Sequence, residues 1–169
     1  MKIKNILPFI LIFALLICFA SCTADSDEAE TPADDGGDTL PFAPDLASLR
    51  ENMISTFGGE EPIKFESDIL LDLYGIAADD VAESACYMTM DGVFPQEIIM
   101  IKATDADALA RISKSLENRI SEVKVQSEGY DPENYALAQR CNVVSKGLYV
   151  TMFLSPHFEQ MTEMFNSAK

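Results

Sequence analysis

The chain has 169 residues, enough for one domain with a hydrophobic core, and its 28 acidic residues against 12 lysines and arginines leave a net charge of −16. A surface this acidic repels phosphate backbones and anionic headgroups, so nucleic acid is not an expected partner and no basic patch can hold the chain on a membrane. A single histidine and the absence of any Cys-x-x-Cys leave no metal-ligand spacing, and neither a metal nor a cofactor is expected.

The first segment is an address. Lys2 and Lys4 precede an apolar run from Ile6 to Ala20, broken only by Pro8. As a helix these residues reach about 22 Å, short of the roughly 30 Å hydrocarbon core. A charged leader, a short apolar run and small residues at its end predict a cleaved export signal over residues 1–21. Phe19-Ala20-Ser21-Cys22 resembles the lipobox of bacterial lipoproteins, in which the cysteine thiol receives diacylglycerol and becomes the first residue of the mature chain. Cys18 fits that role less well, because Ile17 precedes it where a small residue is wanted. The resemblance implies lipidation of Cys22 and attachment to the extracytoplasmic side of the cell membrane. Release after Ala20 and an uncleaved anchor are the other readings of this segment. Loss of Lys2 and Lys4 with the signal takes the net charge from −16 to −18.

Residues 22–44 hold the anchor cysteine and a linker. From Thr23 to Pro44 the chain carries Asp25, Asp27, Glu28, Glu30, Asp34, Asp35 and Asp38, no basic residue, and Gly36-Gly37. Low hydrophobicity with charge of one sign cannot compensate the entropy of ordering, so this stretch is expected to be disordered.

Residues 45–169 are expected to form a single α+β domain. Leu46, Leu49, Met53 and Phe57 recur at helical spacing, Asp45 can cap their start, and Gly58-Gly59 ends the run. A shorter helix is predicted from Ser67 to Tyr74-Gly75, with one more turn over Asp79-Asp80-Val81-Ala82. Two strands follow, Ala85–Met90 and Glu97–Lys102, joined across the turn residues Asp91 to Pro95. Thr104 or Asp105 caps the longest helix, whose stripe of Leu109, Ile112, Leu116, Ile120 and Val123 is spaced for one buried face. Arg111, Lys114, Arg119, Glu122 and Lys124 fall largely off that stripe. Gly129 to Pro132 breaks the helix, and Glu133 to Arg140 resumes it. A second strand pair, Cys141–Ser145 and Leu148–Leu154, turns at Lys146-Gly147. Ser155-Pro156 opens a last helix carrying Phe158, Met161, Met164 and Phe165. Two hairpins split by a long helix predict an antiparallel sheet of about four strands with helices packed on one face.

Several of these stretches carry a family resemblance. After the lipobox come Leu73-Tyr74-Gly75-Ile76, then Glu97-Ile98-Ile99-Met100-Ile101-Lys102 leading into Thr104-Asp105, then Gly129-Tyr130-x-Pro132-Glu133 and Lys146-Gly147-Leu148-Tyr149-Val150. In this order the chain resembles the small bacterial lipoproteins grouped as domain of unknown function 4358, over about Leu49 to Phe165. The resemblance implies a fold and a cell-envelope address, but no activity and no catalytic residue.

The chemistry-bearing residues are few. His157 stands alone, without a placed serine or cysteine, and is expected to face solvent. Asp79, Asp80 and Glu83 form the densest carboxylate group of the domain, though acids in this pattern also favour a helix start. Asp105-Ala106-Asp107 begins like a calcium loop, but Ala110 replaces the required glycine and Leu116 the bidentate acid. Glu97 and Lys102 bracket an apolar strand, and Tyr130 and Glu133 sit in a turn between helices. These four are the candidate contacts to a ligand or partner. Structurally, Glu97 and Lys102 can instead pair with charges on neighbouring elements, and Tyr130 can pack over the sheet edge. Cys86 and Cys141 can bridge outside the membrane or serve as small core residues. The expectation is a non-enzymatic module that binds an envelope protein or small ligand. The alternative is an extracytoplasmic enzyme in which Asp79, Asp80, Glu83, Glu97 and Asp131 converge.

Overall fold

The computed structural model describes residues 41–59, 62–63, 65, 67–90 and 95–169. The stretch read as an export signal, Cys22, the stretch read as a linker up to residue 40, and the predicted turn at residues 91–94 lie outside them.

Helix α1 (Leu46–Phe57) begins where Asp45 accepts a hydrogen bond from the Ser48 amide, the cap expected from sequence. Strand β1 (Pro62–Ile63) follows, then α2 (Ser67–Tyr74). Gly75, at φ +66°, supplies the left-handed residue that ends α2. The next turn is shorter than expected. A 3-10 turn covers Ala78–Asp80, and β-branched Val81 already starts β2 (Val81–Thr89). Strand β3 (Gln96–Ala103) pairs antiparallel with β2.

Asp105 caps α3 (Ala106–Ser127) through the Ala108 amide at 2.8 Å, and Asp131 caps α4 (Pro132–Arg140) through the Asn134 amide at 3.1 Å. A tight turn with Gly147 at φ +60° joins β4 (Val143–Lys146) to β5 (Tyr149–Leu154). The last helix, α5 (Phe158–Ser167), starts later than Ser155-Pro156 suggests. The Ser155 hydroxyl accepts from the His157 amide and holds Pro156-His157 in a turn instead.

The fold is α+β, and its sheet is antiparallel with order β1-β2-β3-β5-β4. Five strands replace the expected four because β1, two residues long, is too short to leave a periodic signal. Helices cover both faces rather than one. Alternation along β3 turns Glu97, Ile99 and Ile101 toward α2 and α3, while Ile98 and Met100 face α1 and α5. Central strand β3 is therefore apolar on both sides, and Ile98 to Ile101 are buried. Helix α4 packs along α3.

Phe42 and Pro44 lie in the stretch read as linker, yet they belong to the packed structure. Pro44 is buried, and Phe42 makes edge-to-face contacts with Tyr149 and Phe165 at 5.4 and 5.3 Å between centroids. Lys146 Nζ sits 4.1 Å from the Phe42 centroid, which holds this ring against the sheet.

Candidate functional site

The strongest polar constellation is inside the domain. Glu97, near the start of β3, is completely buried between the sheet and α3. Arg119 of α3 donates to Glu97 Oε1 from Nε at 3.0 Å and from Nη2 at 2.5 Å. Tyr74, the last residue of α2, donates its hydroxyl to Glu97 Oε2 at 2.8 Å. Burial, then the charge of Glu97, pushes the Tyr74 hydroxyl well above its ordinary pKa, so it stays a donor. Burial opposes the charge on Arg119, but its bonds to Glu97 outweigh that and raise its pKa. These three residues tie α2, β3 and α3 together, and they are satisfied by one another. Glu97 is thus part of a closed group, with both of its oxygens met from within the fold.

Arg119, read from sequence as off the core stripe, is 8 % exposed. The buried line of α3 runs through Ala108, Ile112, Leu116, Arg119 and Val123, with Leu109 and Ile120 half-buried on its flanks. Position 119 follows Leu116 by three and precedes Val123 by four, which is core spacing; its charge obscured the signal.

Lys102 stands on the other face of β3 from Glu97, so the two do not form one site. Its Nζ lies 5.5 Å from the centroid of Tyr149, its cross-strand neighbour. Tyr130 projects into solvent with 74 % exposure and does not pack on the sheet edge as expected. Glu133 is exposed in the first turn of α4, close to Tyr130 in the chain.

The other carboxylates are dispersed. Arg111 of α3 grips Asp80 in a fork, Nε to Oδ2 at 3.0 Å and Nη2 to Oδ1 at 2.6 Å, and holds its carboxyl below the usual range. Asp131 is held below its ordinary value by Asn134, which donates from its side chain and its amide. Glu83 lies exposed on β2, beyond an irregularity in register between Val81 and Glu83. Asp79 and Asp80 line an open cleft of about 770 Å³ with Gly75 to Ala77 on one side and Arg111 and Lys114 of α3 on the other. Asp80 and Arg111 neutralise each other on that wall.

His157 is exposed, with its ring stacked on Phe57 at 4.8 Å. Cys86 and Cys141 are both free and buried. Cys86 is in β2 and Cys141 precedes β4, and with β3 and β5 between those strands the separation is on the order of 14 Å, against the 7 Å or less of a bridge. Burial pushes the thiols up to about 12 and about 11. Met88, Met100, Met152 and Met161 fill the core as expected, whereas Met90 is 54 % exposed. Among the described residues no group of three or more His, Cys, Asp or Glu side chains can hold a metal ion, and no helix is long and apolar enough to cross a membrane.

No curated protein and no solved structure matches the chain. One family does, by its sequence profile over residues 59–155, from just after α1 to the residue following β5. The matched stretch contains the whole sheet, Tyr74, Glu97 and Arg119, and the chain belongs to the family described as Domain of unknown function (DUF4358).

Proposed function

We propose that this chain is a bacterial lipoprotein, lipid-anchored through Cys22 on the extracytoplasmic side of the membrane, whose domain binds a protein or small ligand of the cell envelope. One observation carries the choice of binding over catalysis. Three of the five carboxylates from which a catalytic site would be assembled are engaged by the fold: Glu97 by Arg119 and Tyr74, Asp80 by Arg111, and Asp131 by Asn134. Asp80 and Asp131 are held as anions below their ordinary pKa, the reverse of what a general acid working near neutrality needs. The address rests on the charged leader, the short apolar run and the lipobox-like Phe19-Ala20-Ser21-Cys22. Two or more acyl chains hold a protein stably on a bilayer where one does not, so a diacylglyceryl cysteine suffices without a basic patch.

The test is the intact mass of the mature N-terminus from membranes, beside a Cys22→Ala control, followed by crosslinking on cells. A diacylglyceryl mass on Cys22 and discrete crosslinked envelope species are expected. An unmodified terminus would remove the anchor, and a domain that crosslinks to nothing would remove the binding role.

A further inference from the structure

The chain from Gly75 to Asp80 faces Ala110, Arg111, Lys114 and Ser115 of α3 across the open cleft of about 770 Å³. Small residues keep the gap open. Gly75 has no atom within 4 Å of where a Cβ would stand, and Ala77 and Ala110 are exposed. The inner surface is apolar, because Ile76 and Ile112 line the cleft and are 2 % and 1 % exposed. An apolar floor, a few polar groups on the rim and a volume inside the range of about 300–1,000 Å³ are the features of a small-ligand site.

Charge decides which ligand fits. Four charged residues line the cleft, and two of them, Asp80 and Arg111, cancel in their fork. The other two have opposite signs and stand on facing walls. Among the described residues no donor reaches the Asp79 carboxylate, and Lys114 has only the exposed Glu117, at 3.5 Å. Asp68 and Asp72 on α2, Asp105 at the α3 cap, and Asp107 and Glu117 on α3 lie outside the lining and make the surroundings acidic. They repel a ligand of net negative charge, and a wholly apolar one would leave Asp79 and Lys114 unmatched. Lys114 stands about 4.5 Å further along α3 than Arg111, which holds the neighbour of Asp79. That offset suits the two ends of a dipeptide, at about 3.3–3.6 Å per residue, better than the single carbon between the charges of one amino acid.

Resting on the reading of the domain as a binding module, we infer that this cleft takes a short peptide with free termini and small side chains, its ammonium group on Asp79, its carboxylate on Lys114 and its apolar atoms on Ile76 and Ile112.

The probe is L-alanyl-L-alanine, titrated into the full chain in detergent and followed by amide NMR. Saturable shifts confined to the two walls, Gly75 to Asp80 and Ala110 to Ser115, are expected. Asp79→Asn and Lys114→Gln, both at exposed positions, should each raise Kd about fivefold, as should acetylating or amidating the dipeptide. Ala110→Trp, which fills the cleft from an exposed helix position, should abolish binding and leave the melting temperature unchanged. No saturation by about 10 mM would overturn the inference. Shifts elsewhere, an unchanged Kd in either charge variant, equal binding of the doubly capped dipeptide, or binding retained in a folded Ala110→Trp chain would each do the same. Crosslinking on cells separates the cleft from the broader reading. Envelope crosslinks from a chain that binds no dipeptide reject the cleft alone, whereas a chain that neither binds the dipeptide nor yields crosslinks rejects the binding module.

Discussion

Arg119 and Glu97 meet through two nitrogens, Nε and Nη2, both on Oε1, with Nε also reaching Oε2 at 3.4 Å and the Tyr74 hydroxyl donating to that second oxygen. Taking either charge out of water is costly, and only the completeness of the network makes it tolerable. Glu97→Ala should therefore destabilise the domain by about 3–5 kcal/mol, because it strands a guanidinium in the core. Tyr74→Phe, which removes one bond to a charged group, should cost about 1.5–3 kcal/mol. Glu97→Leu combined with Arg119→Met should recover most of the loss, because no unpaired charge is left behind. Urea denaturation of the four chains decides the matter; a Glu97→Ala loss below about 1 kcal/mol would mean that water reaches Arg119.

Leu116 is fully buried at the centre of α3. Leu116→Ala should cost about 2–5 kcal/mol through lost transfer energy and the cavity left behind. Lys114→Ala, two residues away on the solvent face of the helix, should fall within about 0.5 kcal/mol of the unaltered chain. Equal melting temperatures for the two would remove α3 from the core.

Acid should unfold the domain through its caps and its surface fork. Asp45, Asp80 and Asp131 all lie below the ordinary carboxylate value of 3.8, through hydrogen bonds from Ser48, Arg111 and Asn134 respectively. The unfolded chain then binds more protons than the folded one as pH falls past that value, so stability rises with pH across the window. The contribution is complete above about pH 5 and is lost as pH drops through the folded values. Asp45 is exposed and Asp80 and Asp131 are half-buried at the surface, so salt should weaken the effect, most of all at Asp45. The melting temperature should be flat from pH 7 to 5 and fall below pH 4, with a smaller fall in Asp131→Asn; superimposable curves would place the acid sensitivity elsewhere.

Cys86 and Cys141 should behave as two inert thiols. With values near 12 and 11, each exposes at least about a hundredfold less thiolate at pH 8 than a free cysteine does. Both should label only after denaturation, and reductant should leave the melting temperature unchanged. A drop in melting temperature on reduction would indicate a bridge that the sheet order does not permit.

The helices were legible in the sequence where a cap and a stripe agree, as at Asp45 with Leu46, Leu49 and Met53, or Asp105 with Ile112, Leu116 and Val123. The paired strands were legible from their apolar runs. Three things were hidden, each for a physical reason. A two-residue strand has no period, so β1 left no trace. The start of β2 is exposed from Ala82 to Ser84 and carries a glutamate, so it reads as the end of a helical turn. Arg119 occupies a core position with a charge, which only its partner Glu97, distant in sequence, explains. The candidate contacts fared unevenly for the same reason. Glu97 and Lys102 looked like one pair bracketing a strand, but their positions, five residues apart, put them on opposite faces of the sheet.

Phe42, seated between Tyr149 and Phe165 beneath Lys146, determines where load would enter the domain. Any pull from the preceding chain is met first by these aromatic contacts, at the β4–β5 margin, before it reaches the hydrogen-bonded ladder. Strand β2 lies toward the opposite margin, on the order of 10–14 Å away across β3 and β5. Force entering at that margin would have to cross the β5–β3 and β3–β2 ladders before it reached β2.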